Sequence, residues 1–293
     1  MKWILLNPKA RGSTALKVWQ KIATSYSGYR VVNLEEIDFD RLEFSSGDQI
    51  ICAGGDGTLN WVVSRLIARH GLSAVKSFEF GLIGLGSNNS FLMSAGHQIS
   101  KARVSSPARP HDLVECRLED GSKKYFLANA SVGLLAEANF IFNQDKIVKS
   151  LKSYNRDVAD TLTFLKAIKS FKSSQIKVTM DGKTREQNIT NLHFLKHPYF
   201  AADLFFDETG SEDDGLIHFF SLESMPKLQI LKRFIDMMLF KKMSRGYTAK
   251  SSAKHLSLEC KKAFAIELDG EVYRTHSAQF TNHKNALQFL QRG

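Results

Sequence analysis

The sequence contains no apolar run that approaches the roughly 20 residues of a transmembrane helix. Only three of its 293 residues are cysteines, Cys52, Cys116 and Cys260, and they are widely separated. An odd number of scattered cysteines provides no disulfide framework and indicates a reducing compartment. The first residues lead straight into a strand-like segment, so we expect no signal peptide. These absences predict a cytoplasmic protein that associates with membranes only peripherally.

Zinc-finger spacing and arginine-rich tracts are also missing, and the sequence contains no internal repeat or low-complexity segment. The composition is that of an ordinary globular protein, with 43% hydrophobic and 24% charged residues. Basic residues outnumber acidic ones, which gives a formal net charge of +10. This charge favours acidic partners such as nucleotides or anionic lipid surfaces. Because no nucleic-acid-binding motif accompanies the charge, we expect no nucleic-acid partner.

One short stretch combines a strand, a glycine-rich turn and a helix start. Residues 49–53 are mostly apolar and have the length of a buried strand, and residues 54–58 read Gly-Gly-Asp-Gly-Thr. Apolar residues then recur at helical spacing from Leu59 to Ile67, and Thr58 is placed to cap that helix. Such a turn presents backbone N–H groups and the positive end of a helix to an anion. We interpret it as a phosphate-binding turn, with an ordinary tight turn as the alternative.

Two further strand-like runs, Lys2 to Leu6 and Phe78 to Ile83, are followed by the polar segments 7–12 and 84–89. Alternation of strands and helices predicts a parallel sheet that is covered on both faces. In such sheets the ligand lies at the carboxyl ends of the strands. The three polar turns are therefore expected to meet at one edge of the sheet and to form a nucleotide site.

The second half of the sequence has a different pattern. Residues 100–110, with two prolines, read as a linker. Beyond them strand-like runs flank Asp-Gly turns, as in antiparallel hairpins, and residues 141–172 read as helical. We expect an α/β + β fold: an N-terminal Rossmann-like parallel α/β nucleotide-binding domain over residues 1–110, and a C-terminal antiparallel β-sandwich domain with a helical insertion over residues 111–280. The segment from about residue 281 to 293 is expected to pack back on the first domain.

The Gly-Gly-Asp-Gly-Thr string resembles the nucleotide loop shared by diacylglycerol kinases, sphingosine and ceramide kinases, NAD kinases and phosphofructokinases. The Asn-Pro segment at residues 7–12 and the Gly-Ser-Asn-Asn segment at residues 86–89 resemble further motifs of the lipid kinases. The resemblance implies that ATP is the co-substrate. The positions that match its nucleotide site are Asn7, Arg11, Gly12, Gly54, Gly55, Gly57, Thr58, Ser87 and Asn89. By the same resemblance Asp56 orients the acceptor or a metal ion. Ser90 departs from the Asp that is usual in diacylglycerol kinases.

The Asp213-Asp214-Gly215 sequence is similar to a motif that binds a structural Mg²⁺ in some bacterial members of this family. The resemblance assigns the metal to the Asp214 side chain and to the backbone carbonyls of Leu216 and Ser211, with Asp112 in the surrounding network. Taken by itself, the acidic segment is equally compatible with an exposed acidic turn.

Near the end of the sequence, Asp269-Gly270-Glu271 is similar to a family motif in which the Glu is the general base. A lipid hydroxyl is a weak nucleophile, and a carboxylate within hydrogen-bond reach can accept its proton during phosphoryl transfer. Glu271 is therefore the predicted base. Without the resemblance, the Asp-Gly sequence also indicates a simple hairpin turn.

The segment from Met225 to Met243 reads as an amphipathic helix with basic residues beside its apolar face. Leu228, Leu231, Ile235, Met238 and Leu239 share that face. Packing against the core is one interpretation. Docking on an anionic membrane surface, with Lys241 and Lys242 contributing, is the other.

These observations predict an ATP- and Mg²⁺-dependent lipid kinase that phosphorylates the hydroxyl of a lipid such as diacylglycerol or a sphingoid base. One alternative is an NAD-kinase-like enzyme, although its characteristic second-domain loop is not found. Another is a non-catalytic lipid- or nucleotide-binding descendant, for which Ser90 and the bulky residues at 197–206 are the motivation. A homodimer is compatible with the sequence.

Overall fold

A computed structural model describes residues 1–86, 91–92, 104–145, 147–148, 150, 156–200, 204–206 and 211–292. The chain divides into two compact units. Unit 1 comprises Met1–Leu113, Ser211–Gly215 and His283–Gly293. Unit 2 comprises Val114–Gly210 and Leu216–Asn282. The mixed α/β character expected from the sequence is confirmed.

The strands are numbered in chain order. They are β1 Lys2–Leu6, β2 Arg30–Asn33, β3 Gln49–Gly54, β4 Glu79–Gly84, β5 Val104–Leu118, β6 Lys123–Phe126, β7 Asn129–Gly133, β8 Ser174–Met180, β9 Lys183–Leu195, β10 Tyr199–Phe200, β11 Leu204–Phe205, β12 Ile217–Glu223, β13 Ala249–Ala253, β14 His255–Leu268 and β15 Glu271–Arg292. The α-helices are α1 Ala10–Ser13, α2 Ala15–Ile22, α3 Asp56–His70, α4 Leu72–Val75, α5 Leu134–Gln144, α6 Arg156–Ser170 and α7 Lys227–Phe240. Short 3₁₀ turns occupy Ala23–Tyr26, Phe39–Arg41 and Met243–Gly246.

Unit 1 is built on a parallel sheet with the strand order β2-β1-β3-β4. The strands β1, β3 and β4 are almost continuously apolar and buried, as expected when both faces of a parallel sheet are covered. The C-terminal part of β15 adds a further parallel strand, since Gln288 and Phe289 pair with Glu79 and Phe80 of β4. This sheet sets the positions of the turns that follow β1, β3 and β4.

Two sequence-based predictions in unit 1 are wrong. Thr58 does not cap α3: Gly55 is the N-cap and Thr58 lies inside the first turn, so its hydroxyl is directed to another partner. The predicted linker at residues 100–110 is wrong from residue 104 onward, because Val104–Leu118 is one strand. Pro107 and Pro110 are part of that strand. Asp112 is consequently an interior strand residue rather than the residue before a strand.

Unit 2 is antiparallel. The long strands β9 and β14 both pair with β8 through their first halves and with β7 through their second halves. In addition, β9 pairs with β12, and β14 pairs with β15. A shift of register between Glu259 and Phe264 bends β14 between these two pairings. The core of these strands is apolar and includes Phe126, Phe194 and Phe280.

Helices α5, α6 and α7 pack together beside these strands. The predicted continuous helical segment at 141–172 is wrong in its bounds, because α5 begins earlier, at Leu134, and a separate helix begins at Arg156. Phe164 of α6 stacks on Phe234 of α7 with ring centroids 3.7 Å apart. Within the described part of the chain, no helix is both long and apolar enough to span a bilayer.

Candidate active site

The glycine turn lies where three parallel strands end side by side. Leu6 pairs with Ala53, and Ala53 pairs with Ile83, so β1, β3 and β4 finish at the same level. The backbone N–H of Asn7 donates to the Ala53 carbonyl at 2.9 Å. The Gly54 carbonyl accepts from the N–H groups of Leu85 and Gly86 at 2.7 and 2.9 Å. The sheet therefore brings the starts of the three predicted turns together.

Asn7, Gly54 and Thr58 form one packed unit within this edge. The Asn7 amide donates a hydrogen bond to the Thr58 hydroxyl at 2.9 Å. The Asn7 side-chain oxygen in turn accepts the N–H of Lys9 at 3.1 Å, which fixes the start of the first turn. A Cβ on Gly54 would lie only 2.7 Å from Cβ of Thr58. Gly54 is thus required by packing, and Asn7 and Thr58 shape the turn.

Gly55 and Gly57 have different reasons to be glycine. A Cβ on Gly55 would lie 3.0 Å from the Gly86 Cα, so the turn after β3 packs closely on the turn after β4. Among the described residues, none would lie within 4 Å of a Cβ on Gly57. None of their contacts therefore requires glycine at residue 57. Open space beside the first turn of a 15-residue helix is suited to an approaching anion, because the first N–H groups of a helix have no intrahelical acceptor.

Asp56 is the first residue of α3, and its Oδ1 accepts the backbone N–H of Phe91 at 3.2 Å. This carboxylate therefore ties the glycine turn to the chain beyond β4. Arg11 and Gly12 lie on the first turn with left-handed backbone angles, φ 53° and 62°. Both residues are exposed, so Arg11 is accessible to a ligand. The predicted nucleotide residues Ser87 and Asn89 lie outside the described residues.

Asp112, Ser211 and Asp214 come together within unit 1. Asp112 is fully buried, and its two carboxylate oxygens accept the N–H groups of Gly215 and Asn285 at 2.8 and 2.9 Å. Its own N–H donates to the Glu212 carbonyl at 2.9 Å. Oδ2 of Asp214 accepts the Ser211 N–H at 3.2 Å. Asp112 thus holds the acidic segment 211–215 in place through hydrogen bonds to the backbone of that segment.

The fourth predicted metal ligand, Leu216, lies in unit 2, and its carbonyl has a lysine partner. The Lys196 ammonium donates to the Leu216 carbonyl oxygen at 2.9 Å. Lys196 is only 3% exposed, so this is a buried cation. One of the predicted ligands does not fit the structural Mg²⁺ that the resemblance implied, because the Lys196 ammonium already binds the Leu216 carbonyl. Sequence reasoning missed Lys196, because nothing in the motif signals a residue 20 positions earlier.

Glu271 lies in unit 2 at the start of β15, directly after the hairpin turn that joins it to β14. Asp269 anchors the turn: its carboxylate accepts the N–H groups of Leu127, Ala128 and Asn129 at 2.7, 3.1 and 3.0 Å. The Asp269 backbone is left-handed, with φ 45°. The Glu271 side chain is exposed. The turn is therefore rigidly held, and the carboxylate beyond it is accessible.

A second carboxyl group, Glu267, is buried beneath the same turn. It accepts the Gly270 N–H at 2.5 Å and the Ser131 hydroxyl at 2.9 Å. Burial raises the pKa of Glu267 to about 7, and these two hydrogen bonds only partly offset that effect. No motif distinguishes Glu267 in the sequence, although it lies two positions before Asp269 on an alternating strand.

Unit 2 also contains a small apolar cavity beside α7. Its volume is about 30 Å³. It is lined by Leu134, Leu135, Phe164, Asn191, Leu222, Ile230, Arg233, Phe234, Met237, Gly246 and Tyr247. At one side the Asn191 amide donates to the Tyr247 hydroxyl at 3.1 Å. The cavity is thus mostly hydrophobic with a few polar groups, as in many small-molecule sites.

The apolar face of α7 predicted from the sequence packs on the core only in part, through Leu231 and Met238. Ile230 and Met237 are the buried residues of this helix, and they lie on its opposite side. Leu228 and Leu239 are 77% and 73% exposed, and Ile235 and Phe240 are about half exposed. The core-packing interpretation therefore holds for Leu231 and Met238 and is wrong for Leu228 and Leu239. Large exposed apolar side chains grouped on one helix indicate an interaction surface.

Comparison with known proteins shows which family the N-terminal part of the chain resembles. Residues 2–114 match the diacylglycerol kinase catalytic domain. The resemblance to lipid kinases predicted from the sequence is confirmed by this match, which contains the turns after β1, β3 and β4 and extends to Asp112 and β5.

The diacylglycerol kinase of Bacillus subtilis strain 168 is 28% identical to this chain over 142 residues. The aligned part is 46% of this chain and only 42% of that enzyme. Two structures of Bacillus anthracis strain Sterne proteins, one named a diacylglycerol kinase and one a candidate diacylglycerol kinase, have TM-scores of 0.70 and 0.71. They are 20% and 19% identical, and each comparison covers 99% of this chain and 96% or 95% of the other. These structures establish the fold that the chain shares with them.

Proposed function

We propose that this protein is an ATP-dependent lipid kinase that transfers the γ-phosphoryl group to the hydroxyl of a lipid such as diacylglycerol or a sphingoid base. The observation that supports this most strongly is the turn at the end of β3. There Gly57 borders open space at the start of α3, and the Asn7–Thr58 hydrogen bond fixes the surrounding backbone. In the same proposal, unit 1 is the Rossmann-like nucleotide domain and unit 2 is the β-sandwich lipid domain.

The phosphates of ATP would be bound by backbone N–H groups at the start of α3 and by Arg11. Transfer concentrates negative charge on the phosphoryl oxygens, so fixed N–H dipoles and a guanidinium stabilise the transition state. Mg²⁺ would arrive with the nucleotide, as part of the substrate complex. Asp56 would orient this complex, since its position on the first turn is held by the Phe91 N–H.

Glu271 would act as the general base. The lipid hydroxyl oxygen forms a bond to the γ-phosphorus, its proton passes to the Glu271 carboxylate, and the bond to the leaving ADP oxygen breaks. A base of this kind contributes about 10²–10⁴-fold to the rate. The Glu271 carboxylate is exposed beyond a turn that Asp269 holds in place, so it is accessible to a lipid hydroxyl.

The lipid chain would enter unit 2 at the cavity beside α7. The cavity of about 30 Å³ is too small for a lipid chain, since even benzene occupies an engineered cavity of about 150 Å³. Binding therefore requires α7 to move away from Phe164 and Tyr247. The exposed apolar residues of α7, with Lys232 and Lys241 nearby, would contact an anionic membrane surface during this step.

The test is transfer of labelled γ-phosphate from ATP to a panel of lipids in mixed micelles: diacylglycerol, monoacylglycerol, ceramide, sphingosine and phosphatidylglycerol. We expect one lipid class to be labelled, and Glu271→Gln to reduce the rate by about 10²-fold or more. Glu259→Gln, which changes an exposed carboxylate elsewhere in unit 2, should retain the wild-type rate. If no lipid is labelled while ATP still binds, the non-catalytic alternative is supported instead.

A further inference from the structure

The carbonyl that the family resemblance assigned to a metal ion is bound by a lysine. Lys196 follows β9 and Leu216 precedes β12, and these two strands pair with each other, with His218 opposite Leu195. The pairing brings the residues just beyond the two strand ends together. The Lys196 Nζ then lies 2.9 Å from the Leu216 carbonyl oxygen.

The position of Lys196 is fixed by its backbone as well as by its side chain. The N–H groups of Lys196 and His197 both donate to the Ala128 carbonyl, at 2.8 and 3.1 Å. Residues 127–129 are in turn held by the Asp269 carboxylate. One network of hydrogen bonds thus connects the Asp269-Gly270-Glu271 turn through Ala128 and Lys196 to Leu216.

An ammonium and a divalent cation compete for the same carbonyl oxygen. Two cations bound to one oxygen would lie only a few ångströms apart and repel each other strongly. A buried ammonium is also costly unless it keeps its acceptors, so Lys196 is not expected to yield the carbonyl. Two of the other proposed ligands, Asp112 and Asp214, are acceptors for backbone N–H groups: those of Gly215 and Asn285 for Asp112, and that of Ser211 for Asp214.

We propose that the Lys196 ammonium takes the place of the structural divalent cation at the Leu216 carbonyl. The proposal concerns this structural position and not the Mg²⁺ that accompanies ATP. It predicts that the nucleotide-free protein needs no divalent cation for stability, and that the segment after Gly215 is held by a side chain of this chain.

The first test is titration of the nucleotide-free wild-type protein with Mn²⁺, with free Mn²⁺ measured by electron paramagnetic resonance. We expect no stoichiometric binding, and the thermal unfolding midpoint should be the same in excess EDTA and in millimolar MgCl₂. Binding of one equivalent of Mn²⁺, or a lower midpoint in EDTA, would overturn the proposal. This measurement needs no variant and is independent of kinase activity.

The second test uses Lys196→Gln, which removes the charge, with Lys261→Gln as a control at an exposed lysine of the same unit. In EDTA we expect Lys196→Gln to unfold several degrees below the control and to recover part of the loss in MgCl₂, because a ligand that binds the folded state stabilises it. Lys196→Arg should behave as wild type. An unchanged midpoint for Lys196→Gln, or a loss that MgCl₂ does not reduce, would contradict the proposal. If Lys196→Gln does not fold, the proposal is tested by the Mn²⁺ titration of the wild-type protein and by the unfolding midpoint of Lys196→Arg.

Discussion

The Asn7 side-chain amide donates a hydrogen bond to the Thr58 hydroxyl across 2.9 Å, and it thereby joins the end of β1 to the first turn of α3. These residues are 51 positions apart in the sequence, and the parallel pairing of β1 with β3 makes the contact possible. The hydrogen bond leaves Thr58 directed toward the sheet edge instead of capping the helix. It also leaves no room for a side chain on Gly54.

Gly54→Ala should destabilise the protein, because the added Cβ would lie 2.7 Å from the Thr58 Cβ and would push Thr58 away from Asn7. Overpacking of this kind costs about 1–3 kcal/mol. The free energy of unfolding in urea measures the loss. Gly28→Ala is the matched control, since a Cβ there meets nothing within 4 Å. Equal stability of the two variants would show that the turn can relax without cost.

Asp112→Ala should destabilise unit 1 strongly. It removes the acceptor of the Gly215 and Asn285 N–H groups, and each buried donor without an acceptor costs about 1–3 kcal/mol. Asp112→Asn keeps the shape and one oxygen acceptor, so it should lose less. Hydrogen exchange should show faster exchange at Gly215 and Asn285 in both variants. Wild-type protection of these two amides in Asp112→Ala would contradict the structural role of Asp112.

Glu267→Gln should stabilise the protein increasingly as the pH rises. Burial raises the pKa of Glu267 from 4.5 to about 7, so folding favours the protonated acid. The stabilising effect of that proton is fully present below about pH 4.5 and is lost as the pH rises through about 7. The loss in the free energy of unfolding is roughly 3 kcal/mol at most. Gln has no such titration and can still bond to Ser131 and Gly270.

The measurement for Glu267 is the free energy of unfolding of wild type and Glu267→Gln at several pH values on both sides of this window. The difference in favour of the variant should grow from about pH 5 to about pH 8. Glu259→Gln, at an exposed position, should show no such trend. A difference that stays constant with pH would mean that folding does not raise the pKa of Glu267.

Leu228→Ser combined with Leu239→Ser should weaken binding to anionic vesicles. These side chains are 77% and 73% exposed, so the change removes apolar contact with lipid and leaves folding intact. Vesicle flotation measures the bound fraction, and we expect it to fall several-fold. Lys241→Glu with Lys242→Glu should reduce binding to anionic vesicles and leave neutral vesicles unaffected.

Ile37→Ser is the control for this surface, because Ile37 is an exposed apolar residue of unit 1, 42% accessible. It should float as wild type does. If the α7 variants also float as wild type does while their unfolding midpoints are unchanged, α7 is not the membrane contact.

The nucleotide turn was predictable because its determinants are local. An apolar strand, three glycines and a helical repeat follow one another in the sequence, and the structure has β3, a turn and α3 in those positions. The role of Thr58 was not predictable from the same stretch, because its partner Asn7 comes from β1. Residues that depend on distant partners are determined by tertiary contacts that spacing does not reveal.

The same limit explains three further differences. The segment at 104–110 contains two prolines and looks like a linker, yet it is part of β5, which pairs with β6 and β15. The face of α7 that packs inward is the one with Ile230 and Met237, although both faces carry apolar residues. Sequence periodicity cannot choose between two apolar faces. Lys196 gave no signal at all, since a single lysine in a sequence with 40 basic residues is not distinctive.

The most direct test of the account is ATP binding to Gly57→Ala, measured by calorimetry beside wild type and Gly28→Ala. In the described part of the chain, a Cβ on either glycine meets nothing within 4 Å, so we expect both variants to fold with the stability of wild type. If the phosphates lie against the start of α3, Gly57→Ala should lose at least about 10-fold in ATP affinity, or about 1.4 kcal/mol, while Gly28→Ala binds normally. Normal ATP binding by a folded Gly57→Ala would contradict the placement of the nucleotide on this turn.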